Sequence, residues 1–270
     1  MWQVVLDFLL YVGKIVLLTL GTVTVCGFSV HLCAVAFSHL TGARSGKVFD
    51  LTAYVGTPIH ELGHAIMCPL FGHRITKLCL LSPSAENGVY GYVEHSYNRK
   101  NLWSKLGNLF IGIGPIFSGL GIVVLMLWLC FPTQWKSYLA LSRTLIEEGA
   151  DLSAVMGNVL ALFRALPAAF VENWLRATVG LFVILCVALH ISLSWADIRS
   201  SLSALPFYLL LLSIFALITF SVDGTATVVA TLQLLNLRIL SLFCIVISFA
   251  AVWVLLALLI RMVQTVIRWF

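Results

Sequence analysis

Long runs without a formal charge alternate along this chain with short polar breaks, and the runs predict its architecture. Ile15 to Ala43 contains no Asp, Glu, Lys or Arg. That exceeds the ~20 residues a helix needs to cross a bilayer, so a first span is predicted over about 10–40. A polar turn over 41–50 follows, with Asp50 as the N-cap of a second helix from Leu51 to about Phe71. Pro58 is expected to kink that helix or to start a new segment after Thr57, and Gly72 to end it. Leu106–Trp135, Ala177–Ala196, Ser200–Val222 and Arg238–Ile260 supply the third to sixth spans. Asp223–Leu237 reads as a polar turn between the last two.

Two stretches break this rhythm. Arg74–Leu81 alternates weakly, Ser82–Gly88 has turn residues, and Val89–His95 reads as a strand. This is a small β-hairpin whose edge can hold an extended peptide, or else an ordinary connecting loop. Residues 136–176 are mixed in charge, and Leu152–Phe170 reads as an amphipathic helix on the surface or capping the bundle. Glu147, Glu148 and Asp151 belong to a solvated face. The expectation is an all-α polytopic membrane protein. It is a single domain over 1–270, a bundle of about six transmembrane helices with a small hairpin between the second and third.

Composition supports the bilayer. The chain is 61% hydrophobic and only 10% charged, with a mean hydropathy of +1.04. Soluble domains carry roughly 25% charged residues. The net charge of +5 does not imply nucleic acid, because the cations sit singly in loops. They orient the chain instead. Arg74, Lys77, Arg99, Lys100 and Lys105 outnumber Glu86 and Glu94, which places the hairpin on the cytoplasmic side. Six crossings, with Arg261 and Arg268 at the end, put both termini there too. The segment Met1–Asp7 lacks a basic region and reads as retained. Seven scattered cysteines without a CxxC pair indicate neither a disulfide framework nor a cysteine metal site.

Into this apolar setting the second helix places His60-Glu61-Leu62-Gly63-His64. Histidines four apart share one helix face about 6 Å apart along the axis, so both imidazoles can reach one ion. The glutamate between them can take a proton from water on that ion. Ionisable groups are costly in hydrocarbon, which makes a functional site the default reading. A catalytic zinc takes three protein ligands, so a third must come from elsewhere. Asp197, in Ser194-Trp-Ala-Asp197, is one candidate, although the pattern also suits a helix cap. His190, at a similar depth in the fourth span, is the other. The two can meet one ion together only if the helix breaks at Ser192–Ser194. His31 and His39, eight residues apart on one helix face, are packing histidines, auxiliary ligands or proton relays.

These residues resemble the site-2 protease class of intramembrane zinc metalloproteases. The resemblance rests on His-Glu-Leu-Gly-His in an apolar helix, Leu70-Phe-Gly72, the Gly91-Tyr-Val93 stretch and the helix with Gly114-Pro115. It covers about residues 50–125. The family's third ligand, an Asp at a helix start commonly followed by Gly, corresponds to Asp197, here followed by Ile198. No Asn follows Gly114-Pro115. The resemblance is thus to an outlying branch. It implies Zn2+ held by His60, His64 and Asp197 (or His190), with Glu61 as general base. The partner would be a membrane protein or membrane-adjacent peptide, cleaved within the lipid bilayer; His31, Ser118 and His190 could line the path of water. The alternative is a non-proteolytic membrane protein whose protease-like site binds metal or a partner. A histidine-lined metal transporter is a third reading, opposed by the lack of further intramembrane carboxylates.

Overall fold

Charge-free runs become helices, and most of the helices outrun them. The computed structural model describes residues 2–42, 45–82, 90–147 and 151–267. Helix α1 (Trp2–Val16) passes through a π-turn (Leu17–Gly21) into α2 (Thr22–Thr41), one helical run of 40 residues. Asn236 sets that turn by donating to the Leu18 carbonyl (2.7 Å) and to Thr22 Oγ1 (2.5 Å). Helix α3 (Ser45–Leu70) leads into strands β1 (Arg74–Cys79) and β2 (Tyr92–Ser96), which pair antiparallel. Then follow α4 (Leu102–Gly112), α5 (Gly114–Cys130), α6 (Pro132–Glu147), α7 (Leu152–His190), α8 (Trp195–Ser221) and α9 (Thr225–Ile267).

Four helical runs among the described residues are long and apolar enough to cross a membrane: Trp2–Thr41, α7, α8 and α9. Helices α4 and α5 together make a fifth, bent by 51°. The bend sits at Ile113 (φ −92°, ψ 3°), where Gly114-Pro115 starts a new helix. Helix α3, read from sequence as the second span, is not among them, because Lys47, Asp50, His60, Glu61 and His64 interrupt its apolar character. The spans of this kind therefore number four or five, against about six expected. Leu210, Ile214, Leu217 and Ile218 lie exposed on α8, as a lipid-facing surface requires.

Other expectations are corrected. Asp50 does not cap α3, which begins at Ser45; its carboxylate accepts from the Tyr90 hydroxyl at 2.5 Å. Asp223–Leu237 is not a turn, since α9 starts at Thr225 and the break is confined to Val222–Gly224. Leu152–Phe170 is the first half of α7, and its inner face (Val155, Val159, Leu162, Leu166, Ala169) is buried in the bundle. Asn173 (φ −158°, ψ 93°) divides α7, and its side chain caps the second half by accepting from the Arg176 amide at 3.0 Å. The turn expected at 82–88 falls largely in 83–89, which, like Glu148 and Arg268, lies outside the described residues.

The main core joins α5, α6, α7 and α9 through Leu127, Phe131, Trp135, Ile184, Val246 and Phe249. Helix α3 lies against α5 and α7, with α4 at its end. Helix α3 is thereby packed on apolar helices along part of its surface, while Leu51, Tyr54, Leu62, Ile66 and Leu70 stay exposed, and the ionisable residues of interest are carried on it.

Candidate metal centre

Position and partner together fix the two α3 histidines. Spacing of four puts their rings 5.1 Å apart. His60 Nδ1 lies 2.8 Å from the His190 carbonyl, and His64 Nδ1 lies 2.7 Å from the Ile111 carbonyl. Carbonyls only accept, so both Nδ1 atoms carry the hydrogen, and both Nε2 atoms face the site, where each can hold a proton or bind a cation. Both carbonyls come from the C-terminal ends of helices, α7 and α4, where the last turn's oxygens are available to side chains. Glu61 is only 7% exposed, yet its carboxylate has no hydrogen-bond partner among the described residues.

The third group depends on the gap between α7 and α8. Residues 191–194 are not helical, and α8 starts at Trp195. A reciprocal capping box fixes that start: Ser194 Oγ accepts from the Asp197 amide (3.2 Å), and Asp197 Oδ2 accepts from the Ser194 amide (2.7 Å). With Oδ2 so held, Oδ1 lies 3.1 Å from His64 Nε2, and Oδ2 itself lies 3.7 Å from His60 Nε2. The cap and the third group are the same carboxylate. His60, His64 and Asp197 offer ligand atoms all within 4.8 Å of one another, a group that can hold a metal ion.

His190 stands apart from that group. Its Nδ1 lies 3.1 Å from the Cys186 carbonyl, and its ring packs against Gly56. What it gives the site is its backbone oxygen, under His60. Of the other side chains expected near the site, Ser118 is tied by its Oγ to the Ile59 carbonyl at 2.8 Å, between α5 and α3. His31 stacks on Phe28 along α2.

A metal suits these donors on chemical grounds. Two Nε2 lone pairs facing one carboxylate repel it unless a proton or a cation lies between them. Two imidazoles and one carboxylate are the donor set of a transition metal rather than of Ca2+ or Mg2+. Beside the group lies a cavity of about 630 Å3, lined by Glu61, His95, His190, Ser192 and Ser194 among others. It leaves open space beside the three ligand atoms.

Glycines let the walls close. A Cβ on Gly114 would sit 2.5 Å from the Gly63 carbonyl oxygen, and one on Gly63 would sit 2.6 Å from that of Gly114. The α3 and α5 backbones thus touch one residue away from His64. Gly114→Val is expected to force the helices apart, costing about 1–3 kcal/mol of stability and much of the bound metal. Gly121→Ala, with nothing within 4 Å of its added Cβ, is expected to change neither. Thermal unfolding and metal content of the two purified variants provide the check.

The hairpin forms the cavity's remaining wall. In β2 burial alternates, with Val93 and His95 turned inward and Tyr92, Glu94 and Ser96 exposed. Gly91, just before the strand, lies so close to Glu61 that an added Cβ would meet Glu61 Cγ at 2.8 Å. The bond to Asp50 pushes Tyr90, at the mouth, up to about 12. His73 Nδ1 lies 2.9 Å from His95 Nδ1, and His73 Nε2 lies 2.7 Å from the Ser104 carbonyl. Burial first, and then the neighbouring imidazoles of His73 and His64, hold His95 below the ordinary histidine range. The sequence reading did not single out His73, His95 or Gly91 as parts of the site. Only the period-2 pattern of 91, 93 and 95 within the predicted strand pointed to a common face. Compared with protein-family models, curated proteins and solved structures, the chain matches none.

Proposed function

We propose that the chain is an intramembrane zinc metalloendopeptidase of the site-2 protease type, in a divergent form, cleaving a transmembrane or membrane-adjacent peptide segment. The observation that carries this reading is the convergence of His60, His64 and Asp197 beside Glu61 on one cavity. Asp197 reaches the histidines because the chain breaks between α7 and α8. Zinc, when bound by these three, supplies a Lewis acid that polarises a carbonyl and lowers the pKa of a bound water to about 7.

The chain's own residues then do the proton work and the positioning. Glu61, with its carboxylate unpaired, accepts the proton of the attacking water and delivers it to the leaving nitrogen. The scissile C–N bond breaks, leaving one new carboxylate and one new amine. An unwound peptide would lie as an added strand beside β2, its scissile bond between the His60–His64–Asp197 group and Glu61. Helix α3, packed on α5 and α7 with Leu51, Tyr54, Leu62, Ile66 and Leu70 exposed, counts as a sixth crossing in this reading. Both termini and the basic hairpin then face the cytoplasm.

The test is cleavage of labelled single-span apolar peptides by the purified, zinc-loaded chain in liposomes. Cleavage that a chelator stops and added Zn2+ restores is the expected result. Zinc retention without cleavage of any peptide tested would favour the alternative, a metal- or partner-binding protein.

A further inference from the structure

We propose that His95 is a substrate-binding residue, whose Nε2 accepts a backbone N–H of the peptide in the cavity, and that His73 is its positioning residue. The inference rests on the peptidase reading and adds to it a contact that the zinc group and Glu61 do not provide.

The chain of hydrogen bonds sets the direction. The Ser104 carbonyl can only accept, so His73 Nε2 carries a hydrogen. His73 is 5% exposed, and no carboxylate pairs with it among the described residues. A buried charge without a partner is costly, so its ring is neutral and its Nδ1 is an acceptor. The bond to His95 at 2.9 Å therefore has His95 Nδ1 as donor. That leaves His95 Nε2 with a lone pair and no partner among the described residues. His95 lines the same cavity as Glu61. A backbone N–H of an extended peptide is the donor this lone pair would meet.

His73 is held in place from several sides. Tyr97 stacks on it at 4.4 Å, and the Tyr97 hydroxyl accepts from Asn108 at 2.8 Å. Gly107 leaves room for it, since a Cβ there would meet His73 Nε2 at 3.0 Å. Isolated imidazole favours hydrogen on Nε2; here the packing imposes the opposite tautomer on His95. An acceptor held this way recognises a peptide N–H without needing a particular side chain.

Two hydroxamate probes and nitrogen NMR of labelled histidines test it in the zinc-loaded chain. Acetohydroxamate reaches only the metal, whereas a peptidyl hydroxamate also presents backbone N–H groups. His95→Phe is expected to weaken the peptidyl probe about five- to tenfold and to leave acetohydroxamate unchanged. His95→Asn, which keeps an acceptor, is expected to recover part of that loss. In the full-length chain His95 is expected to show hydrogen on Nδ1. In His73→Phe the hydrogen is expected to move to Nε2 while acetohydroxamate still binds. Equal peptidyl affinity in His95→Phe, or an Nε2–H His95 in the unmodified chain, would overturn the proposal and leave the peptidase reading standing. Failure of acetohydroxamate to bind the unmodified chain would overturn both.

Discussion

Glu61→Gln is expected to lower peptide cleavage by about 10^3-fold or more while the chain still binds its metal and folds normally. Removing a positioned general base typically costs 10^2- to 10^4-fold. Here Asp197 cannot take its place, because it is committed to Ser194 and the two histidines. Glutamine keeps the size that packs against Gly91 and removes only the proton acceptor. Metal content measured alongside turnover separates loss of the base from loss of the site. Undiminished cleavage by this variant would end the assignment of Glu61.

Asp197→Asn is expected to weaken metal binding by at least about 100-fold, since a charged ligand is lost outright and even supporting residues are worth 10- to 100-fold. Asparagine can still accept from the Ser194 amide, so the start of α8 survives and the effect reports ligation. Ser194→Ala removes half of the capping box. Its expected effects are about 1 kcal/mol of stability and a metal affinity lower by about tenfold. His190→Phe separates the two candidates for third ligand. Its backbone carbonyl still holds His60 Nδ1, so metal affinity is expected to stay within a few-fold of the unmodified chain. A large loss in His190→Phe and none in Asp197→Asn would reverse the assignment. Competition against a zinc-sensitive dye measures all three.

How much of this was legible in the sequence depended on how local the cause was. Spacing alone placed His60 and His64 on one face, because an α-helix dictates it. Asp197 could be named as one of two candidates, and a break at 192–194 as the condition for its sharing an ion with His190. The chain is non-helical over 191–194, yet the group that forms is His60, His64 and Asp197 without His190. The π-turn at Leu17–Gly21 follows from a bond to Asn236, more than 200 residues away. Absence of charge marked apolar length but not helix ends. Helix α9 takes in Gln233, Asn236 and Arg238, which the hydropathy pattern read as turn or boundary. Helix α3 had the reverse problem: its length suited a span, but His60, Glu61 and His64, buried or half-buried against protein, lower its hydropathy. The His73–His95 pair, 22 positions apart, depends on strand register and on the space at Gly107. Neither can be counted from spacing.

The central claim is that His60, His64 and Asp197 hold one zinc with a position left for water. X-ray absorption at the metal edge of the purified chain tests it most directly. One zinc per chain is predicted, with two imidazole nitrogens at about 2.0–2.1 Å, a carboxylate oxygen at about 2.0–2.2 Å and one further light atom. The carboxylate signal is predicted to disappear in Asp197→Asn. A sulfur ligand, a third imidazole in place of the carboxylate, or a shell closed by four protein ligands would contradict it.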